Sequence, residues 1–170
     1  RSPSIYVRFP LRAGQPAVER LFGKTPAALV IWTTTPWTLA ANLAVVANPQ
    51  LVYAGIPVDR GAGREFLIVA RELGEAFLTA CGLAAPPKSE WIEIAGDKLQ
   101  ALKGARYQHP FIAEPRSDRD FRLTFAAHAT LEAGTGLVHT APGHGADDYA
   151  VGRVRLEMKA SRPSGSGPGE

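Results

Sequence analysis

Cysteine is almost missing from this sequence: of 170 residues only Cys81 carries a thiol. No internal disulfide can form, which excludes a cross-linked secreted scaffold and fits a reducing cytosol. Cys81 stands in an Ala- and Leu-rich stretch and is expected to be buried packing rather than a nucleophile. Equally absent is any apolar run near the ~20 residues that a bilayer-spanning helix needs. The opening Arg1-Ser2-Pro3-Ser4 has neither a starting Met nor the apolar segment of a signal peptide. The chain is therefore expected to be a cytoplasmic piece of a larger protein, with no membrane partner. Charge of one sign is not massed either: 19 Lys and Arg face 16 Asp and Glu, a net +3. That balance permits contact with nucleic acid without demanding it, because the basic residues are scattered.

Several catalytic signatures are missing too. No serine sits in a Gly-x-Ser-x-Gly elbow. Gly134-Thr135-Gly136 is too short for a dinucleotide fingerprint or a P-loop, and no Gly-Lys-Thr follows. His139, His144 and Asp148 have the chemistry of metal ligands but not a ligand spacing such as His-Glu-x-x-His. Neither a metal nor a cofactor is expected.

What is present is an ordinary globular composition, 45% hydrophobic and 21% charged, at a length that supports a real core. Short apolar or β-branched runs punctuated by Pro, Gly and Asn predict strands over residues 4–9, 27–32, 43–47, 51–58, 65–70, 91–95, 122–126 and 137–138. Residues 60–63 read as a hairpin loop. Residues 12–26, with Pro and Gly, read as a surface excursion. Helical spacing is convincing over 72–80, before Gly82, and from Ala146 to about Glu157. A single helical turn fits residues 36–41, with Pro36 at its start, and another fits residues 99–102. About eight strands with two good helices predict a mainly β protein with some α, a closed or nearly closed β-barrel with peripheral helices. Residues 1–158 form the expected domain. The Gly-, Ser- and Pro-rich residues 159–170 cannot bury a core and are expected to be a disordered tail.

Two stretches carry chemistry. From Gly134 to Tyr149 a short strand passes through Pro142, Gly143 and Gly145 into a helix start. The loop gathers His139, Thr140, His144, Asp147 and Asp148 within ten residues, and such a loop exposes backbone N–H groups at the helix start. On spacing alone, a polar loop with Asp147 or Asp148 as a helix-start carboxylate explains the same residues. The second stretch, Thr33-Thr34-Thr35-Pro36-Trp37-Thr38, sets four hydroxyls at the mouth of a buried strand. There they can orient a water or a substrate hydroxyl, although β-propensity alone also accounts for threonines in a strand.

Together with Asn42 and with Leu102-Lys-Gly-Ala-Arg-Tyr-Gln-His-Pro-Phe111, these stretches resemble the inserted editing domain of the isoleucyl-tRNA synthetases. The resemblance covers roughly residues 2–156, with three motifs in order. The valyl and leucyl relatives carry Thr-Thr-Arg-Pro where this chain has Thr34-Thr35-Pro36, so the isoleucyl form fits best. Two places depart from the pattern: Ala127 stands where the family often has an acidic residue, and beyond Arg153 the chain stops following it. The synthetic signatures His-Ile-Gly-His and Lys-Met-Ser-Lys-Ser do not occur.

The resemblance implies a barrel fold as in those editing domains. It also implies hydrolysis of valine wrongly esterified to the 3′ end of isoleucine tRNA, with the remainder of a parent synthetase as partner. In physical terms, an apolar pocket cannot strongly reject a side chain one methylene smaller, so a second, smaller site must clear the error. The ester is already electrophilic; the site needs an anion for the α-ammonium, a positioned water and donors for the developing oxyanion. By motif position Asp148 holds the ammonium, and Thr34, Thr35 and Thr38 line the pocket and orient water or the terminal ribose. His139 forms the wall that rejects the larger side chain and Asn42 supports it. Trp37, Gly136 and His144 complete the substrate-binding set. The two stretches must then meet in space. The alternatives are a valyl- or leucyl-type editing domain and a tRNA-binding module without catalysis. The latter would use a basic patch for which Arg116, Arg119 and Arg122 are the candidates, interrupted by Asp118 and Asp120.

Overall fold

The longest uninterrupted apolar run of the chain lies in Ala27–Thr33 (β2), an interior strand of its sheet. It lies between β1 (Ile5–Pro10), antiparallel to it, and β5 (Gly63–Ala70), parallel to it. A strand buried on both faces needs no polar alternation, which is why β2 reads as a continuous hydrophobic run. The computed structural model of the chain describes residues 3–115 and 117–141.

Five strands form the larger sheet in the order β1-β2-β5-β4-β6, with β4 at Tyr53–Arg60 and β6 at Ile92–Ile94. The hairpin β4–β5 closes on the pair Arg60 and Gly63, leaving Gly61-Ala62 as a two-residue turn where the sequence predicts a loop. Pro57 lies in the middle of β4, yet β6 pairs only with Tyr53, Ala54 and Gly55. Its missing N–H therefore falls where no neighbouring strand requires a donor. The smaller sheet runs β7-β3-β8: β3 (Ala44–Ala47) is parallel to β7 (Arg122–Phe125) and antiparallel to β8 (Leu137–Thr140).

Period-two alternation divides the larger sheet into two packed faces. Leu29, Ile31, Tyr53 and Ile68 point into the main core, which they share with Val45, Leu123 and Leu137 of the smaller sheet. Ala28, Val30, Ile56, Leu67 and Val69 face the other way, under Phe77 and Leu78 of helix α2 (Gly74–Ala80). A 3-10 turn at Arg71–Leu73 leads into α2. Helix α3 spans Asp97–Ala101.

Neither sheet closes on itself among the described residues, so what stands is a sheet-rich fold with some helices. Among the described residues the sheets are joined on two sides. On one side Leu11 bridges to Tyr107 and Arg106 to Arg122, so residues 105–108 sew the end of β1 to β7. On the other, the Ala70 N–H donates to the Thr135 carbonyl at 2.7 Å and the Thr135 hydroxyl donates to the Val30 carbonyl at 2.6 Å.

Two expectations fail. The surface excursion contains a helix, α1 (Pro16–Phe22), because Pro16 sits in the first turn where it is tolerated and Val18 and Phe22 lie on one buried face. Cys81 is exposed, not buried: it stands at the C-cap of α2, past the helix positions whose side chains face the core. Burial nonetheless raises its thiol pKa, with Arg60 acting the other way. No helix among the described residues is long and apolar enough to cross a membrane. The helix expected from Ala146 and the tail at 159–170 lie outside the described residues.

Candidate functional site

At the end of β2 the chain cannot continue as a strand, because Pro36 removes a donor and fixes its own φ. The hydroxyl of Thr33 accepts the Thr35 N–H at 3.0 Å and lies 3.3 Å from the Thr35 hydroxyl. This local bond turns the chain into a 3-10 helix over Pro36–Ala41. The Thr35 carbonyl then accepts both the N–H and the hydroxyl of Thr38, at 3.0 and 2.8 Å. Asn42 caps the far end, its N–H donating to the Leu39 carbonyl. Thr38 and Asn42, four residues apart, are both buried, whereas Thr34 and Thr35 are exposed at the strand mouth.

Strand β8 brings His139 to the same place. Paired with Val45 and only 9% exposed, His139 has Nε2 at 2.8 Å from the Thr38 hydroxyl and Nδ1 at 3.2 Å from Asn42 Nδ2. Asn42 Nδ2 also donates to the Ala44 carbonyl at 3.0 Å, and Asn42 Oδ1 accepts the hydroxyl of buried Tyr107. The two stretches thus meet through Thr38, Asn42 and His139. Asp148 and His144 lie outside the described residues.

Trp37 and Gly136 take no part in these hydrogen bonds, which are those of Thr38, Asn42, His139 and Tyr107. Trp37 projects outward from the 3-10 turn, 71% exposed. Gly136 is buried with φ of +73°, its carbonyl accepts the Tyr53 hydroxyl at 2.6 Å, and a Cβ there would stand 2.5 Å from Ala70 Cβ. Its surroundings demand glycine for close packing. Tyr53 is correspondingly hard to ionise, its pKa pushed up to about 12 by burial against the opposing effect of the Asn48 N–H.

Two residues given no role from the sequence belong to the site's support. Tyr107 is one. The other is His109, whose Nε2–H donates to the Leu39 carbonyl at 2.8 Å while Nδ1 accepts the N–H groups of Phe111 and Ile112. Burial lowers the His109 pKa, and the bond to Leu39 opposes that only in part. His109 thereby staples residues 109–112 to the 3-10 turn. Their signal was the Tyr107-Gln108-His109 run itself: a large polar aromatic beside a histidine in an extended segment must find partners when buried.

Chemically the cluster is a rigid polar wall with exposed hydroxyls at its rim. The single hydroxyl hydrogen of Thr38 is committed to the Thr35 carbonyl, so hydroxyl chemistry falls to exposed Thr34 and to Thr35, whose hydroxyl also meets that of Thr33. Among the described residues no group of three His, Cys, Asp or Glu is placed to hold a metal ion.

No family model matches the chain. It is 42% identical over 161 residues to the isoleucine–tRNA ligase of Thermococcus kodakarensis, covering 90% of this chain and 14% of that protein. To the isoleucine–tRNA ligase of Brevibacillus brevis it is 47% identical over 154 residues, with shares of 90% and 14%. The chain thus spans about one part in seven of the relatives it matches. In structure it is similar to the editing domain of the cytosolic leucyl-tRNA synthetase of P. falciparum, with a TM-score of 0.70 at 12% identity over 94% of this chain and 68% of that one. The corresponding P. knowlesi editing domain gives 0.68 at 13% identity, covering 94% and 66%. At such identities the likeness speaks for the fold. Sequence and fold together place the chain in the isoleucine–tRNA ligase family, as the segment with the fold of a synthetase editing domain.

Proposed function

We propose that this chain hydrolyses the ester of valine mischarged on isoleucine tRNA, in the cytoplasm and as part of a larger synthetase. The observation that carries the reading is the contact of Thr38 and Asn42 with His139, which builds a firm wall beside the exposed hydroxyls of Thr34 and Thr35. Discrimination by size requires a wall that does not yield. A methylene is worth only about 1–3 kcal/mol in an apolar pocket, a limit for which the isoleucine enzymes are the standard illustration. A histidine with both ring nitrogens hydrogen-bonded and its neighbours packed cannot swing aside to admit isoleucine. In this reading Asp148 takes the α-ammonium, and Thr34 and Thr35 orient the water or the terminal ribose. Trp37 offers an exposed indole face to a base of the tRNA 3′ end. Closure of the two sheets into a barrel belongs to the same proposal, supported by the bridges through residues 105–108.

A tRNA-binding module without catalysis is less well supported. Of its basic candidates, Arg122 turns its guanidinium to the carbonyls of Asp118 and Gly104, at 2.6 and 3.0 Å, instead of presenting it outward.

The test is deacylation of valyl- and isoleucyl-tRNA of the isoleucine type by the 170-residue chain. Release of valine with isoleucine spared is expected, and His139→Ala should begin to release isoleucine while still clearing valine. Binding of both esters without hydrolysis would favour the non-catalytic module. Loss of all hydrolysis in His139→Ala would make the histidine catalytic instead of selective.

A further inference from the structure

The hydrogen bonds around His139 determine where its proton sits. The carbonyl of Ala44 can only accept, so the Asn42 atom 3.0 Å from it is the amide nitrogen and the other is Oδ1. The second amide hydrogen of Asn42 points at His139 Nδ1, so Nδ1 must accept. A neutral imidazole that accepts at Nδ1 carries its proton on Nε2. The far end agrees independently. With its hydrogen given to the Thr35 carbonyl at 2.8 Å, the Thr38 hydroxyl can only accept from His139 Nε2, also at 2.8 Å. At the near end Asn42 Oδ1, an acceptor, requires the Tyr107 hydroxyl to donate. The bonds run in one direction: Tyr107 to Asn42, Asn42 to His139, His139 to Thr38, Thr38 to Thr35.

We infer that Tyr107, acting through the buried amide of Asn42, is a positioning residue that holds His139 in its Nε2–H form and fixed orientation. Tyr107 is itself rigidly set. Its ring packs edge-on to Phe9 with centroids 5.0 Å apart, and its N–H donates to the carbonyl of Phe121 at 2.9 Å. Phe121, buried, holds a left-handed φ of 58°, a conformation a bulky residue adopts only where its surroundings over-determine it. Removing the Tyr107 hydroxyl leaves Asn42 Oδ1 buried without a donor, which the amide relieves by swinging out of line. His139 then loses the donor at Nδ1 that excludes the other tautomer. The consequence for amino-acid selection rests on the editing function proposed above; the tautomer does not.

The experiment uses the 15N-labelled chain and reads the side-chain nitrogens of His139, assigned by their loss in His139→Gln. In the wild type Nδ1 should show the shift of an unprotonated ring nitrogen and Nε2 that of a protonated one. In Tyr107→Phe the two shifts should move toward each other as both tautomers populate. In Asn42→Asp, where a carboxylate faces the ring, Nδ1 should gain a proton. The preference for valyl over isoleucyl ester should fall about tenfold in Tyr107→Phe, the equivalent of one 1.4 kcal/mol hydrogen bond. A protonated Nδ1 in the wild type, or unchanged His139 shifts in a folded Tyr107→Phe, would overturn the inference. Should that variant not fold, an unprotonated Nδ1 in Asn42→Asp would do so. If the wild type shows the expected shifts and their changes but hydrolyses neither ester, the positioning stands and the editing reading falls. Hydrolysis with unresponsive shifts gives the reverse.

Discussion

His139 Nε2 lies 2.8 Å from the hydroxyl of Thr38, a residue 101 positions earlier in the chain. This bond joins the Thr-rich turn at the end of β2 to strand β8, and it is sheltered from water. Thr38→Val keeps the shape but removes the acceptor. A buried donor left unpaired costs about 1–3 kcal/mol, and that loss should appear in the urea midpoint of the variant. Thr38→Ser, which retains the hydroxyl, should recover most of it. Equal stability of Thr38→Val and wild type would show that the bond contributes nothing net.

A second histidine, His109, bonded to the Leu39 carbonyl of the same turn, should make stability depend on pH. Burial lowers the pKa of His109 below its ordinary 6.5, so the unfolded chain takes up that proton before the folded one does. Above 6.5 both states are neutral and the contribution is complete. As pH falls from 6.5 to the folded value it is progressively lost, because protons then favour the unfolded state. The denaturation midpoint of the wild type should therefore drop through this window relative to that of His109→Gln. Parallel pH profiles for the two proteins would contradict the assignment.

Much of the larger sheet was legible as apolar runs bounded by Pro and Gly, since a centrally placed strand leaves such a run whatever its partners are. Helix α1 is not, because a stretch holding Pro and Gly reads as a surface excursion, and only its place in the first turn makes Pro16 compatible with a helix. The 105–108 connection between the sheets has no periodicity of its own; its two bridges exist only because Leu11 and Arg122 come alongside. In the site, Thr38, Asn42 and His139 were identified by type and motif, but the role of Tyr107 depends on a contact 65 residues away with Asn42 that no local pattern encodes. Gly136 shows the converse. A glycine in a site motif suggests room for a ligand, and here the space above its Cα is filled by Ala70.

That packing gives a direct test of Gly136. An alanine there must adopt φ of +73° and place Cβ 2.5 Å from Ala70 Cβ. Left-handed strain and overpacking together should cost roughly 2–4 kcal/mol. Gly61→Ala, in the β4–β5 turn with nothing within 4 Å of its Cβ, is the control and should stay close to wild type. Chemical denaturation of the two variants checks this. A stable Gly136→Ala that fails only in ester binding would support its place in the substrate-binding set.

The sharpest prediction concerns Asp148, which lies outside the described residues and whose role is proposed from its motif position. If its carboxylate pairs with the substrate α-ammonium in a partly desolvated pocket, removing it leaves that charge uncompensated, at about 2–5 kcal/mol. Since each 1.4 kcal/mol is tenfold, that is roughly 30- to several-thousand-fold in the rate of valyl-tRNA deacylation. Asp147→Ala should be much milder. Both variants should fold, because even a carboxylate that is stabilised by a helix dipole contributes only about 0.3–1 kcal/mol. Equal losses in the two variants, or loss accompanied by unfolding, would reduce Asp148 to a helix-start charge. Near-normal deacylation by a folded Asp148→Ala would refute the ammonium role and leave the wall of Thr38, Asn42 and His139 to account for selection without it.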